Sequence, residues 1–396
     1  MGINVFFRRF FAAVVFCSMT LLLSAEERRV SLLTCSPGEA VYELFGHTAI
    51  RVVDESRGLD IVFNYGLFSF DEPNFVGRFI LGETDYILGA TDFEYFLGEY
   101  ALRGSGVTEQ VINLDKEQTD RVINALILNS LPANRKYRYN FLYNNCTTKA
   151  RDKILGALGD SFTVEYPEPS RGEQMSFRDI IHNHTAKNEW TQFSIDLLLG
   201  APADIKARRK GAQFAPIILK EEIEAAVIKN DSVSRPFVVE QTELLLPEER
   251  EYVRNNLNPF NASLLFLLFT FVVMLVEKRK KKCYWGWDIL IMGVQGLAGV
   301  VLTFMVLFSQ HPAVDVNWLL IWLNPLPLII LPVYIYRVCK GRSLSILWVE
   351  IAMVVIFFAA SPFLPQYFPA ALYPFALAIL VRSLFEIYRK SICALD

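Results

Sequence analysis

Thr48-Ala-Ile-Arg-Val-Val53 and Asp60-Ile-Val-Phe-Asn-Tyr65 are two short runs of β-branched and aromatic residues, separated by the polar link Asp54-Glu-Ser-Arg-Gly-Leu59. Runs of this composition around such a link read as a β-hairpin. His47, just before the first run, and Asn64, near the end of the second, then fall on neighbouring antiparallel strands. Working outward, Val30–Thr34 reads as another strand and Gly38–Phe45 as a short helix behind Pro37. Tyr86–Leu88 and Val107–Leu114 read as further strands. Asp115–Leu131 has the pattern of an amphipathic helix capped by Asp115, with Val122, Ala125, Leu126 and Leu128 mostly on one face. Leu142–Asn145 leads into a second helix, Cys146–Leu158, which Gly159 closes. Strands and helices in this mixture predict an α+β fold. The stretch from Pro167 to Pro259 is less regular.

The composition sets a second boundary. The 396 residues are 53% apolar and only 20% charged, with a mean hydropathy of +0.29. That is more apolar and less charged than a soluble domain usually is. Disorder, a collagen-like repeat and a disulfide miniprotein are excluded. A net charge of −3 excludes a polybasic nucleic-acid binder. The charge is unevenly spread, from basic in residues 1–25, to acidic in 26–259, to basic again in 260–396. Arg8 and Arg9 precede an apolar run from Phe10 to Leu23, closed by Ser24-Ala25, which is the pattern of a secretory signal. An uncleaved first anchor is the alternative, and either would export the acidic stretch behind it.

Five apolar segments lie beyond residue 259, near Phe260–Val276, Trp287–Ser309, Trp318–Tyr336, Ser345–Phe363 and Phe368–Tyr388. Each approaches the roughly 20 residues that cross a bilayer core. Lys278–Lys282, then Arg337, Lys340 and Arg342, then Arg389 and Lys390 follow alternate segments, whereas the other connections carry no Lys or Arg. The positive-inside rule puts these basic loops and the C-terminus in the cytoplasm. The expected organisation is a signal at 1–25, an exported domain at 26–259 and an all-α, five-helix transmembrane domain at 260–396. The location is then a bacterial inner membrane, with the N-terminal domain in the periplasm.

Two motifs carry chemistry. Phe45-Gly46-His47-Thr48 sets an imidazole at the mouth of a strand, and Asn144-Asn145-Cys146-Thr147-Thr148 sets a thiol at the start of a helix. Unpaired backbone N–H groups at a helix N-terminus stabilise a thiolate. An imidazole within reach would complete a nucleophile–base pair. Asn64 could hold that imidazole from behind, and the Cys146 N–H with Asn145 could bind an oxyanion. Cys35 is the other exported cysteine, so a Cys35–Cys146 disulfide is the bland alternative. His182-Asn183-His184 is a weak metal signal, and no metal or organic cofactor is expected.

Ser31-Leu-Leu-Thr-Cys-Ser-Pro-Gly-Glu39, Tyr42-Glu-Leu-Phe-Gly-His47-Thr-Ala-Ile-Arg-Val52, Phe63-Asn-Tyr-Gly-Leu-Phe68 and Tyr143-Asn-Asn-Cys146-Thr-Thr148 together resemble the periplasmic domain of the lipoprotein N-acyltransferase family called Lnb. Trp190, Asp196–Gly200 and Ala203-Asp204 fit that domain too. The resemblance implies a permuted papain-like (NlpC/P60-like) domain with Cys146 and His47 as its catalytic pair. It implies an acyl chain moved from a membrane phospholipid, through a Cys thioester, to the α-amino group of a diacylated lipoprotein. Tyr42, His311 and Asn324 are then candidate substrate-positioning residues. Asn317 and Asn324, seven apart, would share a helix face. Glu350 could pair with Arg382. A membrane-anchored cell-wall cysteine peptidase or amidase, and a non-catalytic envelope scaffold with the disulfide, are the other readings.

Overall fold

The computed structural model describes residues 28–68, 73–168, 170, 172–249, 256–340 and 345–393; the expected signal lies outside them. In chain order the first part runs β1 (Arg28–Cys35), β2 (His47–Asp54), β3 (Leu59–Leu67), α1 (Phe75–Leu81), β4 (Asp85–Asp92), α2 (Phe93–Leu102), β5 (Val107–Ile112), α3 (Lys116–Ser130), β6 (Lys136–Arg138) and α4 (Cys146–Leu158). It continues with β7 (Thr163–Glu165), α5 (Phe177–Thr185), α6 (Glu189–Leu198), α7 (Arg208–Ala212), α8 (Pro216–Glu224), β8 (Val227–Lys229), β9 (Ser234–Pro236) and β10 (Val238–Leu245). The main sheet has the order β10-β5-β1-β2-β3-β4-β6, with antiparallel pairing throughout. A small sheet, β7-β8-β9, stands apart.

The expected hairpin forms, with Asp54 facing Leu59 at its closing pair. Asp54 accepts from the Ser56 hydroxyl and the Arg57 N–H, and Gly58 takes the left-handed turn position at φ 62°. One sheet face presents Val30, Leu32, Ile50, Val52 and Phe63 to α3, α4 and α8. The other presents Leu33, Ala49 and Val62 to Phe96 and Tyr100 of α2. Asp115 and Gln118 make the reciprocal capping box that starts α3, as its sequence predicts. Gly38–Phe45 is not a helix. Only a single 3₁₀ turn, Val41–Glu43, forms there. The Gly38 and Gly46 N–H groups both donate to Glu43 O, folding the segment onto itself.

Beyond residue 256 lie α9 (Pro259–Lys280), α10 (Trp285–Phe308), α11 (Leu326–Cys339), α12 (Leu347–Ala360) and α13 (Leu372–Cys393). Three stretches, Pro259–Lys280, Trp285–Phe308 and Trp318–Val338, are long and apolar enough to cross a bilayer. Leu347–Phe363 is apolar but shorter. The third stretch is interrupted: a 3₁₀ turn over Trp318–Ile321 gives way to α11 only at Leu326. Pro325 and Pro327 flank the start of α11, and neither has an N–H to continue a helical ladder. Arg382 lies between three carboxylates, those of Glu277, Asp288 and Glu386. Glu350 instead accepts from the Gln295 amide at 2.5 Å, so the expected Glu350–Arg382 pair gives way to these partners.

Helix α6 packs against α9, and two clusters of hydrogen bonds also join the sheet-bearing part to the apolar helices. At the first, the Gly200 and Ala201 N–H groups donate to Ala313 O and Val316 O, and Asn317 Nδ2 donates to Leu197 O at 2.8 Å. A Cβ at Gly200 would lie 2.0 Å from Val316 O, so this close approach needs glycine. At the second, the end of α1 rests on the loop after α10. Gln310 N–H donates to Leu81 O, Ser309 Oγ to Ile80 O and His311 Nε2 to Phe79 O.

Candidate active site

The hairpin and α4 bring the two motifs together. Asn145 is the N-cap of α4: its Oδ1 accepts the Thr148 N–H while Thr148 Oγ1 accepts the Asn145 N–H. This reciprocal arrangement fixes the entry into the helix and makes Cys146 its first residue. Thr147, next in line, shares a 3.1 Å hydroxyl contact with Thr48 of β2, which ties the helix start to the strand that carries His47. Cys146 Sγ lies 3.7 Å from Thr147 Oγ1 and within hydrogen-bond reach of the His47 ring and the Thr48 N–H.

His47 and Asn64 share one face of the sheet. The pairing of Ile50 with Phe63, continued by one step, sets Asn64 across from Ala49 and one diagonal step from His47. His47 Nε2 lies 2.5 Å from Asn64 Oδ1. A carbonyl oxygen can only accept, so Nε2 carries the proton and Nδ1 is left as the basic nitrogen. Tyr100 stacks on the imidazole from the other side.

Burial alone would push the Cys146 thiol up. The His47 charge and hydrogen bond, with further bonds from the Thr48 N–H and the Thr147 hydroxyl, outweigh it and bring the thiol from an ordinary value of 9.0 down to about 7. Burial likewise pushes His47 down, but the facing Cys146 and the bond to Asn64 leave it raised. Each group thus favours the charged form of the other. Cys35 is the contrast. It lies directly across from His47 in the β1–β2 pairing, yet it is buried at 1% exposure, and burial pushes its thiol far up despite a bond from Tyr100. Both cysteines are free, so the disulfide expected by the scaffold reading is absent.

A lowered thiol stays ionised until the pH falls through its own value, so reactivity should be present above about pH 7 and lost below it. Peptide-resolved iodoacetamide labelling of the native protein should show Cys146 alkylation rising with a midpoint near pH 7 and Cys35 unlabelled. His47→Ala should move the Cys146 midpoint upward by a unit or more. A wild-type midpoint near pH 9 would contradict the pairing.

The other candidates separate. Asn145 does not serve as an oxyanion donor: its two amide hydrogens go to Phe141 O at 3.0 Å and Phe214 O at 2.8 Å, so it acts by anchoring α4. The N–H groups of Cys146 and Thr147, which have no acceptor within the helix, are the donors beside the thiol. Tyr42 is 59% exposed and meets Phe68 edge-on. Asn324 is turned inward, its Oδ1 accepting the Leu326 N–H and its amide directed at Leu320 O, Ile321 O and Met353 Sδ. The helical break at residues 322–325 also removes the face expected to hold it together with Asn317. His182 bonds Asp196 while His184 bonds Ile180 O and stacks on Phe45, so the two do not converge on a metal. Among the described residues, Glu277, Cys283 and Glu386 cluster closely enough to ligate one, but the Arg382 guanidinium already pairs with both glutamates.

Four participants are not evident in the sequence. Thr48 and Thr147 act through their mutual hydroxyl contact and their bonds to the thiol. Gly66 sits over the pair at φ +96°, and a side chain there would begin 3.7 Å from Cys146 Cβ and 3.9 Å from His47 Cε1. Tyr137 completes this wall, its hydroxyl 4.0 Å from the same point. The Gly66-Leu-Phe run at the end of β3 is the one sequence signal for that gap.

A sheet-and-helix domain with a half-buried Cys–His–Asn cluster, joined to long apolar helices, defines a membrane protein. Residues 17–170 match the family model for the Lnb N-terminal periplasmic domain, and residues 250–391 match that for the Lnb transmembrane domain. The chain belongs to the Lnb family. No curated protein and no solved structure matches it.

Proposed function

We propose that the chain is an apolipoprotein N-acyltransferase of the inner membrane, working through Cys146 and His47 on a permuted papain-like domain. The observation that carries this reading is the Cys146 thiol at a helix start, drawn down to about 7 and facing an imidazole that Asn64 holds at 2.5 Å. Family membership and the helices that tie the domain to a bilayer support the substrate class. Five spans, with both substrates held in the outer leaflet, complete the proposal.

The Cys146 thiolate attacks an acyl-ester carbonyl of a phospholipid. First-turn N–H groups of α4 stabilise the oxyanion. The protonated His47 gives its proton to the departing glycerol oxygen, leaving a lysophospholipid and an acyl thioester on Cys146. The free α-amino group of a diacylglyceryl-Cys lipoprotein then attacks the thioester. His47 takes the amine proton and the thiolate leaves. Asn64 holds the ring through both halves.

The test is mass spectrometry of the N-terminal lipopeptide of a reporter lipoprotein, in cells lacking other N-acylation. A third acyl chain appearing when the protein is expressed is the expected result. A reporter that stays diacylated would reject the reading and make peptidoglycan peptides the next substrates to try.

A further inference from the structure

A row of rings leads away from the Cys146 thiol. Tyr139 stacks on Tyr86 at 4.1 Å, Tyr86 on Phe68 at 4.9 Å and Phe68 on Phe75 at 5.5 Å. Phe75 stacks on Phe79 at 6.3 Å, and Phe79 meets His311 at 5.8 Å. One end of the row adjoins the gap left by Gly66, because Phe68 follows it by two residues and Tyr86 pairs across the sheet with Tyr137, whose hydroxyl borders that gap. The other end is fastened to the loop after the long apolar helix α10, through the three hydrogen bonds from residues 309–311 to the carbonyls of Phe79, Ile80 and Leu81. The row therefore runs from the nucleophile to the end of a helix fit to cross the bilayer.

Its outer edge is apolar and unburied. Val76 is 67% exposed, Tyr42 59%, and Leu67 and Phe79 42% each. Val76 and Phe79 are three apart in α1 and face the same way. An exposed apolar strip that continues from a membrane helix suits an occupant that is itself apolar and comes from the membrane.

If Cys146 is the acyl-accepting nucleophile, an ester that reaches the thiol must rise out of the bilayer with part of its chain. Each methylene moved from hydrocarbon into water weakens binding by about fourfold, so the first part of the chain needs an apolar track. We propose that the ring row from Tyr86 through Phe68 and Phe75 to Phe79, edged by Tyr42, Leu67 and Val76, is that track. The donor's acyl chain lies along it, its ester carbonyl at Cys146 and its tail directed to the bilayer. Phe68, at the centre, and Val76, at the outer edge, set the preference for long chains. This inference rests on the acyl-transfer reading and adds where the chain is held.

The experiment uses the full chain in detergent, with two donors: a phosphatidylethanolamine carrying C16 chains, and the water-soluble ester p-nitrophenyl butyrate. Intact-protein mass spectrometry follows acylation of Cys146. The readout is the C16-to-C4 rate ratio, which does not depend on the fraction of folded protein. Phe68→Ala and Val76→Asp are each expected to lower that ratio tenfold or more. An unchanged ratio in both variants overturns the track. A wild type acylated by the C4 ester but not by the C16 lipid also overturns it, while the nucleophile stands. A wild type acylated by neither donor removes the acyl-transfer reading itself, and the track with it.

Discussion

Cys146→Ser should lower reporter N-acylation about 10⁴-fold or more, and His47→Ala by a similar order, because the members of a nucleophile–base pair fail as a unit. A serine hydroxyl cannot be brought by its surroundings to the ionisation that Cys146 reaches at about 7. Without His47 the largest stabilising influence on the thiolate is gone, as is the proton donor for the leaving alcohol. Combining the two changes should cost little more than either alone. Asn64→Ala should be milder, on the order of tenfold to a hundredfold, since the imidazole survives but loses the acceptor 2.5 Å away that fixes its tautomer. The assay is acyl-enzyme formation with a phospholipid donor, followed by release on hydroxylamine treatment. Retention of a tenth of wild-type activity in Cys146→Ser would reject Cys146 as the nucleophile.

The second large effect concerns the joint to the membrane helices. Arg178 is 1% exposed and pairs with Asp196, itself 1% exposed, and with Asp204. It also donates to Leu199 O and Gly200 O, in the turn that receives Ala313 and Val316. Tyr367 lies against its guanidinium, and the Tyr367 N–H donates to Asp204. Arg178→Met leaves Asp196 buried without its main partner and takes one donor from each of the two carbonyls. Removing one member of a buried pair costs about 3–5 kcal/mol, so the thermal midpoint of the detergent-solubilised protein should fall by about 10 °C. Arg178→Met with Asp196→Leu should recover part of the loss, since the buried carboxylate no longer stands unpaired. A midpoint unchanged by Arg178→Met would show that this network does not hold the joint.

Much of the centre is legible in the sequence, for identifiable reasons. The hairpin carries two runs of β-branched and aromatic residues around a polar link, and its register alone places Asn64 one diagonal from His47. Asp115 announces its helix through capping chemistry written in adjacent residues. The features that escape a reading of the chain are set by partners distant along it. α1 is seven residues long with no side-chain cap, too short and too uniformly apolar to show a helical period, and its position comes from a loop more than two hundred residues later. Asn145 reads as a free donor because its second carbonyl partner, Phe214, belongs to a region without a readable pattern. β10 alternates poorly and is recognisable only by its pairing with β5.

That last strand gives the domain a natural order of completion during synthesis. The periplasmic family match ends at residue 170, yet β10 reaches Leu245, and α4 is latched by the carbonyl of Phe214. Until these later residues are in place, β5 keeps an open edge and the helix that begins at Cys146 lacks its rear anchor. The first membrane helix of the C-terminal set begins at Pro259, directly behind the closing strand. On the proposed topology, a growing chain completes the Cys146–His47 cluster only as its first long apolar helix follows.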